Sequence, residues 1–280
     1  MGGERLMDPQ NVASRTPNPT RRGATIDVIA VTQSDPFFTG RFFETFLDEC
    51  ARLPLRVLEI VILPNFNETR LALMRRLLGF YGPLDFARLM GRYVATRMAD
   101  LWGAPRSVEA IAARRGVPIR RCSDINDEGC LQALRELDPH VLLSVAAPQI
   151  FREAALSAAP TVLNVHSGRL PRYRGMMPTF WALEKGESEI TITVHEMVKR
   201  LDAGDVVAEF PVPIATGDSA FELSARAKAV AGREVARLLG SMRSDAPATV
   251  RTLDMSEQRY FGFPTREDAK RLRAMGRALL

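Results

Sequence analysis

Residues Thr161-Val-Leu-Asn-Val-His-Ser-Gly-Arg-Leu-Pro-Arg-Tyr-Arg-Gly175 begin as a strand and end as a loop. Apart from Asn164 and His166 the first six are mostly apolar and β-branched, the pattern of a strand buried inside a sheet. Side chains alternate along a strand, so Asn164 and His166 project from the same face. Gly168, Pro171 and Gly175 then force an irregular turn at the strand's carboxyl end. Open α/β sheets bind their ligands at that edge.

Similar strand signals recur on both sides. Thr25–Val31, Arg56–Leu63, Gly116–Arg121 and Val141–Ala147 are short apolar runs. Between them lie helical patterns at Gly40–Leu53, at Glu68 to about Trp102 with a break at Gly82-Pro83, at 105–115 and at 127–137, where Asp138-Pro139 stops the helix. Strands separated by helices predict an α/β fold with a doubly wound, mostly parallel sheet. Ile190–Met197 and Val206–Ile214 alternate like strands near a sheet edge. A long amphipathic helix follows over 219–241, and Thr265 to Asp268 reads as a capping box opening a basic C-terminal helix.

Residues 1–24 are polar, hold Pro9, Pro17 and Pro19, and read as a disordered leader. The stretch 65–105 is longer than a strand-to-strand crossover needs. Phe86, Leu89, Met90, Tyr93, Val94 and Met98 fall there at helical spacing, which predicts a helix covering the sheet face. A lid or an oligomer contact, and with it a homodimer, stays open for this segment.

The chain has 280 residues, 46% hydrophobic and 25% charged, enough for one large α/β domain with an appendage. No apolar run is long enough to span a bilayer. Arg21 and Arg22 have no apolar segment behind them, so no secretory signal is expected. Cys50, Cys122 and Cys130 are scattered, without metal-ligand spacing, and read as free thiols of a cytoplasmic protein with no bound metal. The formal charge of +5 is spread along the chain, which argues against a nucleic-acid partner and suits a small anionic ligand.

An amide donor beside an imidazole is what acyl transfer needs: one polarises a carbonyl and the other manages a proton. A histidine at a strand end reads equally as a structural residue with both nitrogens satisfied. A second cluster is Ile190-Thr-Ile-Thr-Val-His-Glu-Met-Val-Lys-Arg-Leu-Asp-Ala-Gly-Asp205. Asp202 stands there where Ala203-Gly204 turns the chain. A carboxylate at that point can orient an imidazole or hold a water, or can simply close an Asx-turn.

Together, Asn-x-His, Leu-Pro-x-Tyr-Arg-Gly, Pro-x-x-Trp-Ala, Thr-Val-His and Leu-Asp-x-Gly-Asp resemble the folate-dependent formyltransferases in order and spacing. That family includes glycinamide ribonucleotide, methionyl-tRNA and sugar N-formyltransferases. The resemblance is specific from about Val141 to Ile214 and looser outward to Thr25 and Gly240. It implies a Rossmann-like formyltransferase catalytic domain over 25–240 and a short helical C-terminal extension over 241–280. It also implies N10-formyltetrahydrofolate as formyl donor. Asn164 and His166 would stabilise the tetrahedral intermediate, and Asp202 would assist His166 and the proton transfers. The pterin would be read mainly by main-chain groups near Ala147, Pro148, Gln149, Ile150, Met197 and Lys199. Two positions depart from the family pattern: Arg169 stands for an apolar residue, facing either the acceptor or solvent, and Ile190 stands where Gly is common.

For the acceptor, the resemblance implies a small-molecule amine. Glycinamide ribonucleotide enzymes carry a Gly- and Ser/Asn-rich loop after the first strand, and Val31-Thr-Gln-Ser-Asp-Pro-Phe-Phe-Thr-Gly40 lacks it. Transfer-RNA formyltransferases add a C-terminal β-barrel, for which about forty residues after Gly240 do not suffice. Formyltetrahydrofolate hydrolases add an N-terminal domain that residues 1–24 leave no room for. An amino sugar, commonly nucleotide-linked in the family, is the first expectation, and an amine of a specialised metabolite the second. A non-catalytic folate- or partner-binding relative is the reading of a different class. The aromatics of Arg259-Tyr-Phe-Gly-Phe-Pro264 are expected to dock on the core or to stack on a sugar or base.

Overall fold

The structure is a computed structural model, and it describes residues 25–64, 69–242 and 251–280. The leader at 1–24 lies outside the described residues, as do 65–68 and 243–250. The strands are β1 (Ile26–Gln33), β2 (Leu55–Leu63), β3 (Ile119–Arg121), β4 (Val141–Val145), β5 (Thr161–His166), β6 (Arg174–Gly175), β7 (Glu189–Glu196), β8 (Val206–Pro213) and β9 (Tyr260–Phe261). The helices are α1 (Thr39–Cys50), α2 (Arg70–Tyr81), α3 (Pro83–Leu101), α4 (Val108–Arg114), α5 (Glu128–Leu137), α6 (Glu153–Leu156), α7 (Pro178–Glu184), α8 (Ala220–Ser241) and α9 (Arg266–Ala274).

Seven strands form one sheet in the order β3-β2-β1-β4-β5-β7-β8. The pairs from β3 to β5 are parallel, and β7 and β8 run antiparallel at one edge. The chain winds outward in both directions from the β1/β4 pair, so a crevice opens at the carboxyl ends of those strands. The apolar runs supply two cores. Val28, Ala30, Leu143, Val165 and Ile192 face a layer containing α1, α7 and α8. Ile29, Val31, Leu142 and Val162 face α5 and α6.

Helices α1 and α8 come close because Gly232 has no side chain; a Cβ there would overlap the carbonyl of Phe42 and the hydroxyl of Thr45. Thr45 uses that proximity to donate to the Ala229 carbonyl at 2.8 Å. Capping boxes start α8, at Ser219 and Glu222, and α9, at Thr265 and Asp268. The second of these is the box the sequence predicts.

Within the 65–105 stretch, residues 70–101 are helical as expected, with Thr69 capping α2 and Gly82, at φ 76°, separating it from α3. Its packing differs from the expectation. The hairpin lies on the helical layer rather than on the sheet: Phe80 meets Phe180 of α7 and Phe263, Arg92 lies over Phe221 of α8, and Asp85 pairs with Arg273 of α9. Leu89 is buried and Phe86 and Met90 pack on the core, but Tyr93, Val94 and Met98 are exposed. Thr96 is buried further along, while the residues between are largely exposed, because α3 meets the layer beneath it along only part of its length.

Within the C-terminal extension, β9 pairs with β6 in the loop after β5. Phe261 stacks between Tyr173 and Trp181, at centroid distances of 5.6 and 5.0 Å, and Trp181 donates its indole N–H to the Gly262 carbonyl. Two of the three tail aromatics, Phe261 and Phe263, are docked on the core, and Tyr260 is exposed.

Candidate functional site

Antiparallel pairing of β5 with β7 sets Asn164 opposite His195 and His166 opposite Thr193. Paired residues share a face, so two imidazoles and one amide converge at the carboxyl end of β5. His195 Nδ1 donates to the Glu196 carbonyl at 2.8 Å, a group that can only accept. Its Nε2 is therefore an acceptor, and it receives the Asn164 amide N–H at 3.1 Å. That bond fixes the Asn164 side chain with its NH2 toward His195 and leaves the second N–H of the amide uncommitted. Burial, followed by the nearby His166, pushes the His195 pKa down to about 4, which keeps the ring neutral and able to accept.

His166 is buried, and its Nε2 donates to the Tyr173 carbonyl at 2.6 Å. Its Nδ1 thus faces Asp202, whose Oδ1 lies 3.9 Å away and 3.8 Å from His195 Nε2. Both gaps exceed a direct hydrogen bond, so the carboxylate stands beside both rings without bonding to either. Asp202 does not close an Asx-turn. Its Oδ2 accepts the Gly175 N–H at 3.0 Å, and its own backbone sits in the left-handed region at φ 47°.

The loop after β5 holds that carboxylate. Arg174 is buried and donates to the Leu201 carbonyl and, at 2.6 Å, to Gln258 Oε1. Gly175, at φ 95°, lies so close to β9 that a Cβ would overlap the Phe261 carbonyl oxygen. Gly204 likewise has no room for a Cβ against the Glu196 carbonyl, which is why the predicted turn ends in glycine. Sequence reasoning identifies Asn164, His166 and Asp202, and the structure brings all three together. It misses His195, Arg174 and Gln258. The alternation Thr191-Ile-Thr-Val-His195 is the signal that places His195 on one strand face, but a partner strand must be known before that face means anything.

The residues expected near a pterin lie in two loops beside this cluster. Residues 146–151 follow β4 and residues 197–201 follow β7, and an exposed ion pair from Lys199 to Glu153, at 2.9 Å, ties the second loop to α6, which follows the first. Lys199 is thus on the rim, its ammonium turned to α6. The Gln149 side chain is occupied in bracing another loop: it accepts from Ile125 N–H and donates to the Ser123 carbonyl, both at 2.8 Å. Ala147 and Met197 are half-buried against the second core. The main-chain groups of Ala147 and Pro148 take no hydrogen-bond partner among the described residues. Ile150 and Val198 are 67% and 43% exposed, large apolar side chains at the mouth of these loops. Unpaired main-chain groups beside apolar side chains fit a flat, polar-edged ring such as a pterin.

Residues 104–238 match the family model described as formyl transferase. This segment belongs to the formyl transferase family. The formyl transferase domain contains Asn164, His166, His195 and Asp202, and its match begins at the end of the inserted hairpin. Solved structures extend the likeness beyond it. Glycinamide ribonucleotide transformylase 1 from Symbiobacterium toebii is 19% identical at a TM-score of 0.55, with 83% of this chain and 96% of that one covered. A sugar N-formyltransferase from a Shewanella species is 15% identical at 0.51, with 89% and 87% covered. The N-formyltransferase from Helicobacter canadensis, solved with folinic acid and dTDP-3-aminofucose, is 14% identical at 0.51, with 87% and 72% covered. These likenesses establish the formyltransferase fold. No helix among the described residues is long and apolar enough to cross a membrane.

The turn between β1 and α1 is built around its own anion. Asp35 accepts main-chain N–H groups from Phe37, Phe38 and Thr39 at 2.8, 3.2 and 3.3 Å. The N–H groups at the start of α1 are thereby filled by a side chain of the chain itself. Burial raises the Asp35 pKa against these bonds, and burial lowers Lys228, which faces it from α8, to about 8.

Proposed function

We propose that the protein is an N-formyltransferase that moves a formyl group from N10-formyltetrahydrofolate to the amine of a small molecule. The observation that carries this reading is the joint placement of Asn164, His166 and Asp202 around one point, with His195 locking the amide. When bound, the carrier supplies a formyl carbon open to attack by an amine. The free N–H of Asn164 is placed to donate to the formyl oxygen as charge develops there. His166 Nδ1 and Asp202 Oδ1, 3.9 Å apart, bracket the path by which the proton of the attacking amine leaves. His195 holds no proton in this path, because Nε2 is engaged by Asn164 and Nδ1 by Glu196. Ala147, Pro148, Gln149, Ile150, Met197 and Lys199 form the two loops that would hold the pterin.

For the acceptor we favour an amino sugar, nucleotide-linked, with an amine of a specialised metabolite second. The Asp35 carboxylate supports this choice over glycinamide ribonucleotide, since it fills the turn where a substrate phosphate would need free N–H groups. The Helicobacter canadensis N-formyltransferase, similar in fold, was solved in complex with dTDP-3-aminofucose, which supports this choice.

The test is incubation with N10-formyltetrahydrofolate and a panel of dTDP- and UDP-linked amino sugars, following tetrahydrofolate release. Release that depends on an amine is expected. Donor binding without turnover on any amine would favour a non-catalytic folate-binding relative.

A further inference from the structure

A second concave site lies on the same edge of the sheet, outside the cluster around His166. It is a cavity of about 230 Å³ lined by Phe37 of the β1–α1 turn, Arg41 and Glu44 of α1, Arg92 of α3, Arg106, and Phe221 of α8. That volume is small for a whole nucleotide sugar and suits one compact group. The lining is strongly cationic: three guanidinium groups stand against one carboxylate. Glu44 lies 3.7 Å from Arg41, while the Arg106 guanidinium has no partner among the described residues. Arg92 lies face-on over the Phe221 ring at 4.3 Å, which occupies its face and leaves its edge N–H donors free. Phe37 and Phe221 meet edge to face and give the cavity an aromatic wall, with Phe38 packed on Phe221 behind it.

Three guanidinium groups converging on a small cavity, two of them, Arg92 and Arg106, without an ion-pair partner among the described residues, match the geometry of a phosphoryl group. The neighbouring main-chain donors of the β1–α1 turn cannot serve such a group, since Asp35 already holds them. Arg92 comes from the α2–α3 hairpin, so the stretch that is longer than a crossover needs supplies part of the cationic wall. Strand β1 is separated from β5 by β4 alone, a lateral distance on the order of 10 Å between the two strands.

We propose that this cavity binds a phosphoryl group of the acceptor, held by Arg41, Arg92 and Arg106 while the amine reaches the His166 cluster. The acceptor assignment rests on the formyl-transfer reading above; the anion site itself does not. It makes the inserted hairpin a wall of the acceptor site and selects phosphorylated amines over neutral ones.

Calorimetric titration of the full-length protein with inorganic pyrophosphate tests the site without any turnover. Saturable binding is expected, weakened at least tenfold by Arg92→Ala and by Arg106→Ala. Arg97→Ala, which removes an equal charge from α3 outside the cavity, should leave it unchanged. Circular dichroism checks folding of each variant, and Arg106→Ala decides alone if Arg92→Ala unfolds. No saturable binding, or equal loss in Arg97→Ala, would overturn the site. With an amine that turns over, pyrophosphate should compete with the amine and not with the formyl donor; the reverse would overturn the acceptor assignment. If no amine turns over while pyrophosphate binds as described, formyl transfer fails and the anion site stands.

Discussion

The Asn164 amide donates to His195 Nε2 at 3.1 Å, and the other nitrogen of that ring is taken by the Glu196 carbonyl. Two hydrogen bonds therefore determine which way the amide faces, and the buried imidazole acts as a fixed acceptor rather than a proton carrier. Aiming a hydrogen-bond donor in advance, at a place where charge will develop, is how a site of this kind gains rate.

Replacing His195 should therefore damage turnover without removing a reacting group. His195→Ala is expected to lower kcat by about 10- to 100-fold through misplacement of Asn164. His195→Gln, whose amide oxygen can still accept, should recover part of the loss. Steady-state kinetics of the two variants check this, and equal loss in both would show that the ring does something besides accept.

Acid should destabilise the fold through the same residue. The folded-state pKa of His195 is about 4 against an ordinary 6.5. Between those values the unfolded chain takes up a proton that the folded chain refuses, so stability falls as pH drops from 6.5 toward 4 and is unaffected above that window. The contribution is of order 1–3 kcal/mol. Thermal unfolding at pH 7.5 and pH 5 should show a smaller acid-induced drop for His195→Gln than for the parent protein.

Gly175 joins the backbone of the loop after β5 to the C-terminal tail. Its φ of 95° and the Phe261 carbonyl leave no place for a Cβ, and its N–H is the donor to Asp202. Gly175→Ala should cost about 1–3 kcal/mol in stability and also reduce turnover. Denaturant unfolding measures the first effect. Unchanged activity in a folded Gly175→Ala protein would show that the Gly175–Asp202 bond is not needed.

Much of this site was legible before any coordinates. Asn164 and His166 sit two apart on one apolar run, and strand alternation alone places them together. Asp202 was legible only through the resemblance of the combined motifs to the formyltransferases, since its own segment reads equally as an Asx-turn. His195 was not, because its meaning comes from antiparallel pairing across 31 residues of sequence. Arg174 and Gln258 were hidden for the same reason, their bond spanning 84 residues. In the fold, the strand runs and the Thr265–Asp268 capping box read directly from local chemistry, while the Ser219–Glu222 box went unread. The inserted hairpin did not: Tyr93, Val94 and Met98 have core spacing, yet they are exposed because α3 meets the layer below along only part of its length.

The most direct test of the account is single-turnover formyl transfer under saturating N10-formyltetrahydrofolate, with an amine identified by the panel above. The rates of Asn164→Ala, His166→Ala and Asp202→Asn are compared with the parent protein, each variant having been shown to fold. The account predicts a fall of roughly 100-fold or more for each, with the double variant Asn164→Ala/His166→Ala little worse than the slower single one, as for groups that act as a unit. Full activity in either Asn164→Ala or His166→Ala would contradict it.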